Sequence, residues 1–320
     1  MPGRLGIEKT MGEFELIEKI RALFPAPAGI LGIGDDCSVI PQRDGMDTLV
    51  STDMLVEGVH FLFDDISPEQ LGWKSAAVNI SDIAAMGGRP VSTYLSIALP
   101  RDIGQEWVMR FINGYREISG RFGAPLLGGD TCSSPDRLCI SVTVLGECEH
   151  GKALLRSGAK PGDLVCVTGF LGESAAGLRV ILEGKPRTGA AGRLVEKHYR
   201  PLPRVSEGVA LASSGAVTSM MDISDGVASD LRHIMKESGV GAVIDTGRIP
   251  ISEDLKAVCP LFGWDSLPLA LEGGEDYELL FTCRRGAELP VDYTVIGEIT
   301  DTGILEWKGT DKDFMGFRHF

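Results

Sequence analysis

The pattern of apolar and polar positions sorts this chain into short strands and helices. Phe14, Ile17, Ile20 and Phe24 recur at near-helical spacing, and Pro25 ends that helix. Residues 28–34 form a short apolar run that leads into the acidic turn Gly34-Asp35-Asp36. Residues 47–53 read as a strand that ends in a carboxylate. A helix is predicted to start after Ser67: Ser67 caps it, Pro68 suits its first position and Gln70 completes a capping box. It runs to Met86 and stops at Gly87-Gly88. Residues 91–99 and 138–146 are predicted strands, and 107–122 a helix.

The polar segment SGAKPGD at 157–163 marks a domain boundary, and strand-like and helical runs alternate beyond it at 163–168, 174–182, 204–214, 227–237, 278–283 and 294–299. Such alternation is that of an α/β or α+β domain. The expected organisation is a flexible extension at 1–10, an N-terminal domain at 11–150 and a C-terminal domain at 151–320. NISD at 79–82 echoes DISD at 222–225, each in a helix-like stretch. Two similar halves or chance would equally produce an echo of four residues.

Composition narrows the function. With 31 Lys and Arg against 45 Asp and Glu in 320 residues, the net charge is −14. An acidic surface repels phosphate backbones, so nucleic acid is not an expected partner. There is no apolar run of about 18 residues and no signal-peptide pattern, so no membrane association and a cytoplasmic location are expected. The seven cysteines are odd in number and scattered, with no Cys-x-x-Cys pair, so neither a disulfide framework nor a zinc site is expected.

The informative feature is the placement of carboxylates. Asp35, Asp36, Asp53, Asp82, Asp130, Asp222 and Asp225 all lie in or beside segments rich in Gly, Ser or Thr: GIGDDCSV, STDML, NISDIAAMGG, GGDT and DISDG. Any one such segment is explained by turn formation alone. Together, most follow strand-like or helical runs, where binding residues are presented. Converging carboxylates repel bare phosphate but hold Mg²⁺, which prefers oxygen ligands and bridges to substrate phosphates. Ser51, Thr52 and Ser224 add nearby hydroxyls. The chemistry suggested is metal-bridged phosphate handling.

Other signatures are missing. No Gly-x-Gly-x-x-Gly follows a strand. The segment from Gly146 to Ala153 has P-loop spacing, but Ala153 replaces the metal-binding hydroxyl and Glu147 and Glu149 fall where phosphate would sit, so it reads as a strand end and turn. The five histidines show no metal-ligand spacing, there is no Gly-x-Ser-x-Gly elbow, and the cysteines lack an activating partner. Arg156 beside a Gly-rich turn could neutralise phosphate or be an ordinary surface arginine.

The ordered segments GEFELI, LGIGDDCSVI, STDMLVEGVHF, AVNISDIAAMG, LLGGDT, RSGAKPGD, DISDGVASDL and GGEDYELLF, with the terminal GFRHF, closely resemble the thiamine-monophosphate kinase family from Met11 to Phe320. Single segments are shared with aminoimidazole ribonucleotide synthetase, selenophosphate synthetase and the hydrogenase-maturation dehydratase. The resemblance implies a two-domain aminoimidazole ribonucleotide synthetase-like fold, with an N-terminal sheet that forms a barrel across a homodimer and a C-terminal α/β layer. It implies ATP-dependent transfer of the γ-phosphoryl group to thiamine phosphate, with several Mg²⁺ ions. By motif position, Asp36, Ser51, Thr52, Asp53, Asp82, Asp130, Asp222 and Asp225 would be metal ligands. Gly129, Asp130, Arg156 and Ser224 would contact the nucleotide, and His60, Glu275 and Phe317 the thiamine phosphate. Asp130, Arg156 and Asp225 would carry catalysis.

The acceptor in that reaction is a phosphate oxygen, largely dianionic at pH 7 because its second pKa is about 6. It needs no strong base, which agrees with the absence of a convincing base in the sequence. Its difficulty is repulsion between two polyanions, on the order of 4 kcal/mol per pair of unit charges 4 Å apart at an effective dielectric of 20. Two other readings keep the ATP site: a related enzyme that activates a carbonyl or amide oxygen, and a non-catalytic nucleotide or Mg²⁺ sensor.

Overall fold

The computed structural model describes residues 17–18, 21–23, 26–42 and 44–317. Residues 17, 18 and 21–23 are helical; the rest of the first predicted helix and the extension at 1–10 lie outside the described residues.

The first half builds a mixed sheet of β1 (Ser38–Pro41), β2 (Met46–Val56), β3 (Arg89–Pro100), β4 (Leu126–Ser134) and β5 (Cys139–Glu149), in the order β1-β2-β5-β3-β4. Only β3 and β4 run parallel. In β5, Ile140, Val142 and Val144 are fully buried, while Ser141, Thr143 and Leu145 are partly exposed. That period of two marks a sheet with one covered face. The cover is α1 (Pro68–Ala85) and α2 (Gln105–Arg121). Glycines let the two helices touch: a Cβ at Gly72 would stand 1.9 Å from the Phe111 carbonyl oxygen, and one at Gly114 1.9 Å from that of Glu69.

The α1 helix begins as its sequence dictates. The Gln70 amide donates to Ser67 Oγ at 3.2 Å, and the Ser67 amide donates to Gln70 Oε1 at 3.1 Å. It ends at Met86, before Gly87 turns the chain with φ of 71°. Fifteen of its 18 residues are buried. A helix apolar on all sides must be covered on all sides, and the second half of the chain supplies the other cover.

That half builds a six-stranded sheet of β6 (Leu164–Val167), β7 (Val217–Asp222), β8 (Gly241–Asp245), β9 (Leu279–Cys283), β10 (Thr294–Thr300) and β11 (Leu305–Lys308), in the order β11-β8-β10-β6-β9-β7. Its helices are α3 (Glu173–Leu182), α4 (Gly189–Tyr199), α5 (Val205–Ser214), α6 (Val227–Ser238), α7 (Glu253–Phe262) and α8 (Ser266–Glu272). Val227, Leu231 and Ile234 of α6 pack with Val165, Ile244 and Leu280 of the sheet. Strand β7 and helices α4 and α5 lie against α1, and Trp73 Nε1 donates to the Pro201 carbonyl at 2.7 Å. Helix α1 is thus the spine between two sheets.

Three expectations are corrected. Strand β2 continues to Val56, so Asp53 lies inside it rather than at its end. The GGDT segment is part of edge strand β4 rather than a turn. NISD lies within α1, whereas Asp222 ends β7 and Ser224-Asp225 follow in a turn. The echo therefore falls on unlike elements.

Candidate active site

Three carboxylates from separate parts of the chain converge. Asp36 precedes β1, Asp82 lies in the last turn of α1, and Asp222 ends β7. One carboxylate oxygen of each lies within 4.8 Å of those of the other two. Serine hydroxyls hold two of them: Ser51 Oγ donates to Asp82 Oδ2 at 2.5 Å, and Ser81 Oγ to Asp222 Oδ2 at 2.5 Å. On β2, Ser51 and Asp53 share the covered face. The Asp53 amide donates to Asn79 Oδ1 at 3.0 Å, and Asn79 Nδ2 in turn donates to the Ser75 carbonyl of α1.

Burial and mutual repulsion shape the electrostatics. Burial, then the charge of Asp36, pushes the Asp222 carboxyl up to about 7. The same two causes push Asp53 up to about 6. Burial and the neighbouring Asp53, Asp222 and Asp36 push Asp82 well up. Asp35 is pushed up to about 7 by burial and by Asp36.

Arg156 brings a cation to this acidic group from the protein side. Arg156 Nη2 donates to Asp36 Oδ1 at 2.5 Å, and the Arg156 amide donates to Asp35 Oδ2 at 3.1 Å. Burial opposes its charge, but Asp36 and Asp35 hold the guanidinium firmly protonated. Asp36 Oδ2 is buried without a hydrogen-bond partner. A buried, unpartnered carboxylate oxygen is costly. Together with two further carboxylates at ligand spacing, it fits a hard divalent cation that takes oxygen ligands.

The other predicted residues fall around this centre. In the Ser224-Asp225 turn, both main-chain amides donate to Asp230 Oδ2, at 3.1 and 3.2 Å. The Phe317 amide donates to the Asp225 carbonyl at 2.9 Å, so the chain's last described residues return to the site. The GGEDYE segment lies along the same turn: the Glu275 amide donates to the Ser224 carbonyl, and the Tyr277 amide to that of Ile223. Glu275 reaches Lys74 Nζ at 2.9 Å. His60 Nδ1 accepts from the Val56 amide at 3.0 Å.

Two predicted sets are not brought to the carboxylate group. Thr52 lies on the opposite face of β2 from Ser51, and its hydroxyl donates to the Val142 carbonyl at 3.0 Å. Gly129 and Asp130 are exposed on β4, where Asp130 Oδ1 accepts from the Thr131 amide. The sequence reading passed over Lys74, Asn79, Ser81, His198 and Asp230. The signal for three of them was present: Lys74, Asn79 and Ser81 are polar residues in a helix otherwise apolar on every side.

Known proteins share the sequence and fold of this chain. Residues 34–148 match the family model of the AIR synthase related protein N-terminal domain, and residues 160–308 that of its C-terminal domain. The chain is 40% identical over 305 residues to the thiamine-monophosphate kinase of Escherichia coli O157:H7, covering 88% of this chain and 91% of that one. It is 42% identical over 277 residues to the thiamine-monophosphate kinase of Bacillus subtilis strain 168, covering 85% and 83%. The solved structure of AaThiL complexed with AMPPCP and TMP superposes with a TM-score of 0.90 at 35% identity, covering 98% of this chain and all of that one. With its two-sheet fold, its converging carboxylates and this similarity along nearly its whole length, the chain belongs to the thiamine-monophosphate kinase family.

Proposed function

We propose that this protein is an ATP-dependent kinase that transfers the γ-phosphoryl group to thiamine phosphate, giving thiamine diphosphate and ADP. The observation that carries this reading is the meeting of Asp36, Asp82 and Asp222 beside Arg156. Asp36, Asp82 and Asp222 would hold Mg²⁺, with Asp53 and Ser51 beside them and Asp225 as a further ligand; Asp130, exposed on β4 apart from this group, would serve a separate ion that arrives with the nucleotide. When bound, Mg²⁺ supplies positive charge between donor and acceptor phosphates.

The chain's own residues do the rest. Ser51 and Ser81 fix the rotamers of Asp82 and Asp222 by donating to them. Arg156, already oriented by Asp36, offers a planar cation to the nucleotide phosphates. Ser224, Gly129 and Asp130 are assigned to the nucleotide as well, and Asp130, Arg156 and Asp225 to catalysis. Asp230 holds the Ser224-Asp225 turn in shape. The acceptor phosphate is its own nucleophile, so alignment and charge neutralisation suffice. Glu275, His60 and Phe317 are assigned to the thiamine phosphate. A carboxylate and an aromatic face both suit a cationic thiazolium ring.

We assign a homodimer to the open face of the first sheet. Its edge strand β4 pairs only with β3 among the described strands. Leu127, Met54 and Val91 are exposed on that sheet, and such an edge invites pairing. A reducing, cytoplasmic setting suits seven free cysteines; no described helix is long and apolar enough to cross a membrane.

The test is ADP release from ATP with and without thiamine phosphate, with the phosphorylated product identified. Thiamine diphosphate formed in step with ADP supports the kinase. Phosphate release with another acceptor points to the carbonyl-activating chemistry, and binding without turnover points to a sensor.

A further inference from the structure

Lys74 is fully buried within α1, a helix otherwise lined largely by apolar residues. Its Nζ lies 2.9 Å from Glu275 Oε1 and 3.0 Å from Glu275 Oε2, so it grips both carboxylate oxygens. The pair bridges the two halves of the chain, 201 positions apart. It is also asymmetric: the lysine side chain is 0% exposed and the glutamate side chain 26%. The cation stands wholly behind the carboxylate, which keeps an open side. On that side Glu275 lines a cavity of about 110 Å³ with Ser174, Asp276, Phe170, Lys197 and Arg204.

Glu275 is fixed from several other directions. Its backbone is left-handed, with φ of 63°, and that of Tyr277 has φ of 51°. Such conformations are unfavourable for non-glycine residues and persist only where the surroundings enforce them. His198 Nδ1 lies 3.3 Å from Glu275 Oε2 and 3.0 Å from Ser174 Oγ. Burial, then Lys74, pushes the imidazole down to about 3, so it faces the carboxylate as a neutral ring. Although burial favours protonation, Lys74 holds the Glu275 carboxyl below its usual range. A merely structural ion pair between two layers would need neither the strained backbone nor a one-sided opening.

We propose that Lys74 is a positioning residue for the acceptor substrate: from behind, it fixes the orientation and negative charge of Glu275, which presents its open side to the cationic ring of the acceptor. This rests on the assignment of Glu275 to the thiamine phosphate. Lys74 itself touches neither substrate.

Steady-state kinetics of Lys74→Met, Glu275→Gln and the double variant test it, with KM for thiamine phosphate, KM for ATP and kcat read separately. Lys74→Met is expected to raise the acceptor KM about tenfold or more, as loss of a charge-assisted contact does, with the ATP KM unchanged. The double variant is expected to match Glu275→Gln, and Lys74→Arg to recover part of the acceptor KM. An unchanged acceptor KM in Lys74→Met, or equal damage to both KM values, overturns the proposal. If Lys74→Met fails to fold, the double variant decides, since it leaves no unpaired buried charge; an acceptor KM well above that of Glu275→Gln overturns the proposal. An acceptor KM unchanged in Glu275→Gln alone refutes the assignment of Glu275, and with it this inference, whereas a raised KM there with none in Lys74→Met refutes only the role of Lys74.

Discussion

Ser81 of α1 donates to Asp222 of β7 at 2.5 Å, across the seam between the two sheets. The contact fixes an acidic side chain of one half of the chain by a hydroxyl of the other. Outer partners of metal-binding carboxylates matter because they set the direction of the ligand lone pairs. Ser81→Ala is expected to raise the Mg²⁺ concentration needed for half-maximal turnover by about tenfold or more, with the fold intact. Magnesium titration of initial rates, with circular dichroism as the folding control, checks this.

The clustered aspartates make the stability of the metal-free protein depend on pH. Asp222 and Asp35 are raised to about 7 and Asp53 to about 6. A carboxyl raised on folding binds its proton more tightly in the native state, so its destabilising effect grows as pH rises from its unfolded to its folded pKa. Without divalent metal, the melting temperature is therefore expected to carry a falling contribution between about pH 4 and pH 7. Added Mg²⁺ stabilises more at pH 8 than at pH 5. Melting curves with EDTA or Mg²⁺ at the two pH values check the sign.

Arg156 pairs with Asp36 at 2.5 Å and is the cation proposed to meet the nucleotide. Arg156→Ala is expected to raise the KM for ATP by about 10- to 100-fold, the scale of a lost charge-assisted hydrogen bond. The KM for thiamine phosphate should move far less. Asp222→Asn, which removes a proposed ligand, is expected to abolish turnover without lowering the melting temperature of the metal-free protein.

Helix α1 offers two stability tests remote from the chemistry. Ser67→Ala removes the cap on Gln70 and is expected to cost about 1 kcal/mol, with KM values unchanged. Gly72→Ala would place a Cβ 1.9 Å from the Phe111 carbonyl oxygen. That overlap with backbone is expected to cost about 1–3 kcal/mol or more, through separation of α1 from α2. Urea denaturation of both variants separates the two magnitudes.

Local signals in the sequence determined a good deal. Ser67, Pro68 and Gln70 wrote the start of α1, and Gly87 wrote its end, because caps and glycine turns act within a few residues. Alternation along residues 91–99 made β3 legible, and the motifs carried the family and most of the acidic site. Weak local signals hid other elements. Strand β4 is exposed along nearly its whole length and rich in glycine and hydroxyl residues, so it read as a turn. Strands β1 and β11 are four residues each, too short for a period to emerge.

Tertiary structure alone decided which aspartates meet. Asp36, Asp82 and Asp222 stand on a turn, a helix and a strand far apart in the chain, and only the packing of two sheets on one buried helix brings their oxygens within 4.8 Å. It also turned Thr52 away and left Asp130 exposed at a sheet edge. Lys74 shows the same limit: its residue type and helix are read from the sequence, but its partner lies 201 positions away. Capping and periodicity are short-range, whereas convergence of charges is set by which faces the hydrophobic layers bury against each other, and that is settled only when the whole chain has folded.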